Sequence, residues 1–459
     1  MIAVVALLMS VFTLSVYANQ EVLESDDAEV YSALLAGASA LNPKIDISEY
    51  KVSPLRLYVI IEDMLKNEPM LFHCDGYYTY YYSLINSSVK SVVFHYTMTA
   101  SEYGEALDFV NGKLDEIVSY VPDGASDTQK ALFLHDYISV NFEYDTSSKY
   151  HDIYTMLKYG KGVCMSYTYL YDELLARVGI EAYAVISPVT SINHMWNELC
   201  LDGKWYHVDT TWDDPVSDKF GRACHNNFLI CDDCLKASHK NCEYTTKNEC
   251  NSKEYENVEW RNISTSFGIA NGEVYAIKGQ NIHKIDLSSP ATQVVAKVLD
   301  RVWVNENREY LGYLSGFGSY NDLLYYNTQT QVMSYNPKTN RSEVVYTVNS
   351  SDGLIIGLYL EGNKIHYLVS KTGFEKDGEE RIIVLPTTNL SDEPEKPGDA
   401  NGDGGLDQFD YIYVKRIFFK TLDVDEAEAK RADVNKDGTL DQFDYILIKR
   451  AYFGTYTFV

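Results

Sequence analysis

Three side chains near the middle of the chain are of types that do nucleophilic chemistry together: Cys164, His194 and Asp209. Cys164 ends the run Gly160-Lys161-Gly162-Val163-Cys164 and opens a segment with apolar positions at Tyr167, Leu170, Tyr171, Leu174 and Val178, followed by Gly179. That pattern is a turn running into a helix, with glycine at its C-terminal cap. A thiol at a helix N-terminus sits where the macrodipole favours thiolate, the nucleophilic form. The flanking glycines leave room for a substrate backbone.

His194 and Asp209 lie in two strand-like runs, from Asn193 to Leu201 and from Lys204 to Asp214, joined by Asp202-Gly203. Asp-Gly in that setting marks a two-residue hairpin turn. In the implied register Leu201 faces Lys204, Trp196 faces Asp209 and His194 faces Thr211. His194 and Asp209 then share a face as diagonal neighbours with backbones about 7–8 Å apart. A carboxylate spans that gap to orient an imidazole and support its charged form. Met195, Leu199, Leu201 and Val208 face the other way, towards a core. His207 shares the face of His194 and is the rival base, but two residues from Asp209 on one strand it is worse placed to be oriented. His135 and His151 read as structural or exposed. Taken singly, a cysteine is more often a small buried hydrophobe; the joint order and hairpin geometry favour catalysis.

A second chemistry is written at the C-terminus. Asp399, Asn401, Asp403, Gly405, Asp407 and Asp410 recur 34 residues on as Asp433, Asn435, Asp437, Thr439, Asp441 and Asp444. Calcium takes six to eight oxygens, and loop positions 1, 3, 5, 9 and 12 supply side chains while position 7 supplies a carbonyl. Gly404 and Gly438 permit the sharp turn at position 6. Two calcium ions are therefore expected, and no cofactor for the thiol chemistry. Position 12 is Asp rather than Glu, and Pro394 and Pro397 bar a helix before the first loop, which argues against a calmodulin-like pair.

Around these motifs, 28–40, 54–65, 107–121 and 126–140 read as helices, with Ser126 and Gln129 forming a capping box. Residues 74–82 and 91–99 read as strands. Short alternating runs starting at Asn271, Asn321 and Gly362 recur at propeller-like spacing, but three are too few to close a propeller, so 256–386 reads as an antiparallel β-domain of open topology. Its tyrosines could stack on sugars, although tyrosine also simply favours strands, and that plainer reading is preferred. Cys224, Cys231, Cys234, Cys242 and Cys250 cluster with His225 and His239; Cys231-x-x-Cys234 invites zinc, but without a second such pair disulfides or free thiols are the better reading.

With 459 residues, 46% hydrophobic, the chain can form about three domains. A formal charge of −27 argues against nucleic acid as a partner. Ile2 to Val16 is almost wholly apolar and Val16-Tyr17-Ala18 resembles a small-residue cleavage site, so 1–18 reads as an export signal, though no Lys or Arg precedes it. No other stretch is apolar enough to span a bilayer.

The Cys, His, Asp order, with Gly-x-Cys opening a helix and Asp before Thr-Trp-Asp-Asp, resembles the transglutaminase-like superfamily. That resemblance implies a papain-like core with Cys164 as nucleophile, His194 as base then acid and Asp209 as orienting carboxylate. The C-terminal segment resembles a type I dockerin, which implies a cohesin partner on an extracellular cellulosome scaffold. By that resemblance the contacts are Gln408, Phe409, Lys415 and Arg416, with Gln442, Phe443, Lys449 and Arg450 as identical counterparts, a symmetry that allows docking either way round.

The expected fold class is α+β: signal 1–18, an N-terminal α+β region 19–120, the catalytic core 121–255, the β-rich region 256–386, a linker 387–397 and an all-α dockerin 398–459. The expected function is a secreted thiol enzyme acting on peptide or glutamine amides of protein or peptide substrates, by hydrolysis or transfer. The competing readings are a non-catalytic scaffold-borne binding component and, last, a glycoside hydrolase, for which no carboxylate pair stands out.

Overall fold

The computed structural model describes residues 2–7, 27–187, 193–216, 219–299, 303–305, 308–310, 314–349, 351–386, 398–401, 406, 408–418, 422, 424 and 426–457. Helices and largely antiparallel sheets alternate along it. Residues 1–384 form one compact unit and 385–459 another.

The first unit opens with β1 (Ile2–Leu7), α1 (Asp27–Ser39), β2 (Ile45–Asp46), α2 (Pro54–Asn67), β3 (Cys74–Ser83) and β4 (Val89–Tyr96). The strands form a sheet in the order β1-β3-β4-β2. Val30, Leu34, Leu57 and Ile61 of the two helices bury against Tyr78, Val92 and Phe94 of the sheet. Part of the expected signal is thus an outer strand paired with β3; residues 8–18 lie outside the described residues.

The core that follows holds α3 (Ala100–Val118), α4 (Asp127–Asn141), β5 (Glu143–Tyr144), α5 (Ile153–Tyr159), β6 (Lys161–Gly162), α6 (Cys164–Arg177), β7 (Ala182–Ser187), β8 (His194–Leu201), β9 (Lys204–Val208), α7 (Thr210–Asp213) and α8 (Asp232–Ser238). α3 begins earlier than its apolar pattern predicts, because Thr99 and Glu102 form a reciprocal capping box. The Ser126/Gln129 box caps α4 as expected. α6 packs against the sheet β7-β8-β9, and Leu170, Leu174, Leu199 and Val208 share one buried core.

That core does not stop at residue 255. It continues through Trp260, Phe267, Ile269 and Val274 into three antiparallel sheets. The first is β10 (Gly268–Ala270), β11 (Glu273–Lys278), β12 (Asn281–Ile285) and β13 (Gln293–Lys297). After a hairpin of β14 (Trp303–Asn305) and β15 (Arg308–Tyr310) comes the second: β16 (Phe317–Tyr320), β17 (Leu323–Asn327), β18 (Gln331–Asn336) and β19 (Arg341–Thr347). The third is β20 (Leu354–Glu361), β21 (Lys364–Ser370) and β22 (Glu379–Val384). The three sequence runs are the second strands of these sheets, each entered through a two-residue turn with left-handed residues: Asn271-Gly272, Asn321-Asp322 and Gly362-Asn363.

The first strands β10, β16 and β20 lie side by side, as in blades around an axis. The wheel is closed by the core rather than by further blades. Residues 219–222 reach across to β20, where a Cβ on Gly221 (φ +66°) would come 2.5 Å from the Leu358 carbonyl oxygen. At Gly316 the same oxygen would be 1.9 Å away, so backbone packs on backbone. Tyr275, Tyr325, Tyr326, Tyr335 and Tyr367 are buried in these sheets, in keeping with strand preference rather than sugar stacking.

The second unit holds α9 (Gln408–Phe418), α10 (Glu426–Ala432) and α11 (Gln442–Tyr452). Its small core is built of residues 34 apart: Ala400 with Val434, Val414 with Ile448. The linker 387–397, with its prolines, lies outside the described residues, and α10 is a helix the repeat pattern does not announce.

Candidate functional site

Cys164 is the first residue of α6, placed there by the short parallel pair β5–β6 immediately before it. Gly162 is required: a Cβ would meet the Ser166 hydroxyl at 2.3 Å. That hydroxyl donates to the Val163 carbonyl at 2.9 Å and pins the turn.

The hairpin register is as expected from Leu201 opposite Lys204 to Asn197 opposite Val208. Beyond Val208 the expectation fails. β9 leaves β8, and neither His194–Thr211 nor Trp196–Asp209 pair. Asp209 instead caps α7, its Oδ1 accepting the backbone N–H groups of Thr211 and Trp212 at 3.0 Å each, and its own N–H turns to the Asn227 carbonyl. A cap residue cannot continue a ladder. The cap nonetheless delivers the carboxylate: His194 Nε2 donates to Asp209 Oδ2 at 2.6 Å, both groups buried. The Cys164 thiol lies close enough to the His194 ring to favour its charged form. Burial works against a charged ring here, but the Asp209 carboxylate outweighs it and lifts His194 to about 10. Asp209 is likewise held well below the usual carboxylate range: His194 overcomes the effect of its burial. Such a ring is suited to stay an imidazolium.

Two further residues complete the cluster without a sequence signal that singles them out. His239, just past the end of α8, donates from Nε2 to the same Asp209 Oδ2 at 3.0 Å and receives the Ser238 hydroxyl at Nδ1, 2.7 Å. Trp212 lies over both rings, its centroid 4.0 Å from His239 and 4.8 Å from His194. The rival His207 is committed elsewhere: Nδ1 accepts the Trp196 indole N–H at 3.3 Å and Nε2 donates to Asp232 at 3.0 Å. His151 hydrogen-bonds the Ser148 carbonyl at the surface.

The acidic run after Asp209 divides its work. Asp214 accepts the Tyr167 phenol of α6 at 2.5 Å. Asp213 accepts the Asn227 backbone N–H and His135 Nε2, the latter at 3.2 Å. His135 donates from Nδ1 to Asp136 at 2.9 Å, and Asp136 also takes His225 Nε2 at 2.8 Å and the Phe267 N–H at 2.7 Å. This second buried cluster ties α4 to the first β-sheet.

In the C-terminal unit, Asp403, Gly405 and Asp407 lie outside the described residues. Asp399, Asn401 and Asp410 are described, as is the whole second loop. Asp433 Oδ2 accepts the Gly438 N–H at 2.8 Å, and Asn435 and Asp437 accept loop amides at 2.9 and 2.8 Å. Asp444, buried, receives the N–H groups of Asn435 and Asp441, as Asp410 receives those of Ala400 and Asn401. Gly438 has φ +84°, the turn that position 6 demands. The second loop thus offers oxygen-bearing side chains at the spacing, and a glycine at the turn, that calcium takes.

Gln442, Phe443, Lys449 and Arg450 are exposed along α11, and Lys415 and Arg416 along α9; the Gln408 and Phe409 side chains lie outside the described set. The same faces carry Ile412 and Ile446, both exposed. Their identity at equivalent repeat positions was the available clue.

Residues 116–210 match the family model of the transglutaminase-like superfamily, and 397–451 that of the type I dockerin domain. Among solved structures, a TGase crystal structure is 16% identical with a TM-score of 0.21, covering 27% of this chain and 41% of its own. A candidate cysteine protease from Cytophaga hutchinsonii is 15% identical, TM-score 0.20, with 31% and 63% covered. A candidate protease from Parabacteroides distasonis is 18% identical, TM-score 0.18, with 27% and 28% covered. The chain therefore spans less than two thirds of each, and likenesses of this size carry no functional argument. No curated protein matches. Among the described residues no helix is long and apolar enough to cross a membrane. The chain combines a transglutaminase-like domain with a C-terminal type I dockerin domain.

Proposed function

We propose that the chain is an exported thiol enzyme that attacks peptide or glutamine amide carbonyls through Cys164 and is mounted on an extracellular cellulosomal scaffold by its dockerin. The observation that supports this best is the buried His194–Asp209 pair, at 2.6 Å, with the Cys164 thiol near the same ring at the start of α6. Cys164 Sγ adds to the carbonyl carbon, and the carbonyl oxygen gathers charge where the Cys164 backbone N–H, unbonded at the start of α6, points. As the C–N bond breaks, His194 hands its proton to the departing amine and a thioester remains. Water, deprotonated by His194, then attacks the thioester, giving acid and free thiol. A lysine amine in place of water would give a crosslink. Hydrolysis is the outcome favoured here.

Asp433, Asn435, Asp437, Thr439, Asp441 and Asp444, with Asp399, Asn401, Asp403, Gly405, Asp407 and Asp410, would hold two calcium ions. Bound calcium would neutralise the crowded carboxylates and fix α9 and α11. Their exposed faces, with Phe443, Lys449 and Arg450, suit a cohesin.

The test is incubation of the full chain and Cys164→Ala with a protein mixture and a tagged primary amine, read by mass spectrometry. Cleaved or deamidated products absent from the variant support hydrolysis; tagged glutamines would move the assignment to transfer. Identical products from both proteins would sink the thiol reading. Chelation of calcium is expected to abolish capture by immobilised cohesin and to leave thiol chemistry intact.

A further inference from the structure

Three ligand-bearing side chains outside the thiol site meet at the start of α8. Cys231, its N-cap, Cys234 on its first turn and Glu256 from a distant loop bring two sulfurs and a carboxylate oxygen within 4.8 Å of one another. Glu256 is held there: Oε1 accepts the Cys231 N–H at 2.8 Å, while Oε2 takes the Cys234 thiol. All eight cysteines are free thiols, so the disulfide half of the sequence expectation is not met in this structure. A disulfide would in any case use the two sulfurs and leave the carboxylate set against them without purpose. Lys253 and Arg261 lie close enough to both sulfurs to offset negative charge. Cys250 is fully buried, but its sulfur groups with His207 and Asp232 rather than with this set.

The surrounding chain supplies the reason for a staple. Residues 239–258 contain neither helix nor strand, a length at which compact domains rarely leave a loop unsupported. The cluster joins the segment just before this loop to its far end. Between them stands α8, which ends at His239 and so at Asp209.

We propose that Cys231, Cys234 and Glu256, with solvent as the fourth donor, bind one soft divalent cation of the zinc class, which closes the 239–258 loop and fixes α8 against the thiol site. On binding, metal–sulfur bonds replace the S–H bonds and the protons pass to solvent. Two thiolates and a carboxylate around one ion suit zinc and not calcium.

Cobalt(II) titrated into the reduced, metal-stripped full chain is the probe. The expected result is thiolate-to-cobalt charge-transfer absorption that saturates at one equivalent and is displaced by zinc. The oxygen-only dockerin loops give no such band. Cys234→Ser should remove it and Glu256→Gln should weaken binding at least about tenfold, whereas Cys200→Ser should bind as wild type. Absence of the band from the reduced wild-type chain, or its survival in Cys234→Ser, would overturn the proposal. The readout needs no turnover, so it is independent of whether Cys164 is catalytic.

Discussion

Two buried clusters of histidine and aspartate lie in the transglutaminase-like region, alike in composition and burial and opposite in use. In the first, both nitrogens of His135 meet carboxylates, and both nitrogens of His225 are taken, by Asp136 and by the Ile263 carbonyl. Nothing is left over. In the second, Asp209 binds two rings through one oxygen, yet only one His194 nitrogen meets a carboxylate and the Cys164 thiol lies near the ring. Reactivity in such a protein is located by the polar atom that folding leaves for another partner, not by residue type or by a shifted pKa. Both clusters shift a histidine upward, His135 to about 9 and His194 to about 10, each against the pull of burial.

The comparison can be broken at several points. Cys164→Ala should lower turnover on the order of 10⁴-fold or more with no change in the thermal midpoint; a comparable loss from His135→Phe in the folded protein would erase the distinction. Asp209→Asn should cost about 10²–10⁴-fold in kcat. It should also move the alkaline limb of the pH–rate profile down from about 10, where His194 loses its proton, towards the ordinary histidine value near 6.5. Asp136→Ala should instead act on stability, by about 3–5 kcal/mol in denaturant titration because it strands a buried charged ring, while alkylation of Cys164 in the folded fraction keeps its rate.

The pH dependence of stability sharpens the contrast. A raised histidine stabilises fully below its unfolded value, so the His135 contribution holds below 6.5 and is lost as pH rises through about 9. A lowered carboxylate does the reverse: Asp136 contributes above 3.8 and loses that as pH falls through about 2. Asp136→Asn should therefore flatten the fall in stability between these histidine values and leave the fall due to His194, nearer 10. The smallest effect expected is that of His239→Phe, about tenfold in kcat/KM through loss of one donor to Asp209, partly restored by His239→Gln.

What was legible in the sequence was local or arithmetical. Asp202-Gly203 sets the hairpin register because a two-residue turn leaves no freedom, and the 34-residue repeat marks both acidic loops of the dockerin segment. The pairing of His194 with Asp209 was anticipated for a partly wrong reason: a helix cap, not a continued strand, presents the carboxylate. His239 was hidden because its partner is 30 residues away across a thiol-rich loop without periodicity. The runs at 271, 321 and 362 give three copies, too few to close a propeller; that the core reaches the third sheet rests on the contact at Gly221, which no pattern within the strands encodes.

Those glycine contacts have a mechanical consequence. Where backbone lies directly on backbone there is no cushion of side chains to slide or repack, and residues 219–222, which make the contact, lead into Cys224, whose N–H is held by the Asp213 carbonyl of the acidic motif beside Asp209. The sheets and the nucleophile are thus parts of one casting, a fixed jaw rather than a hinged one. On the proposed activity, a substrate must present its scissile bond already in a shape that the jaw admits, so unfolded tails and exposed loops should be processed while compact folded domains are spared.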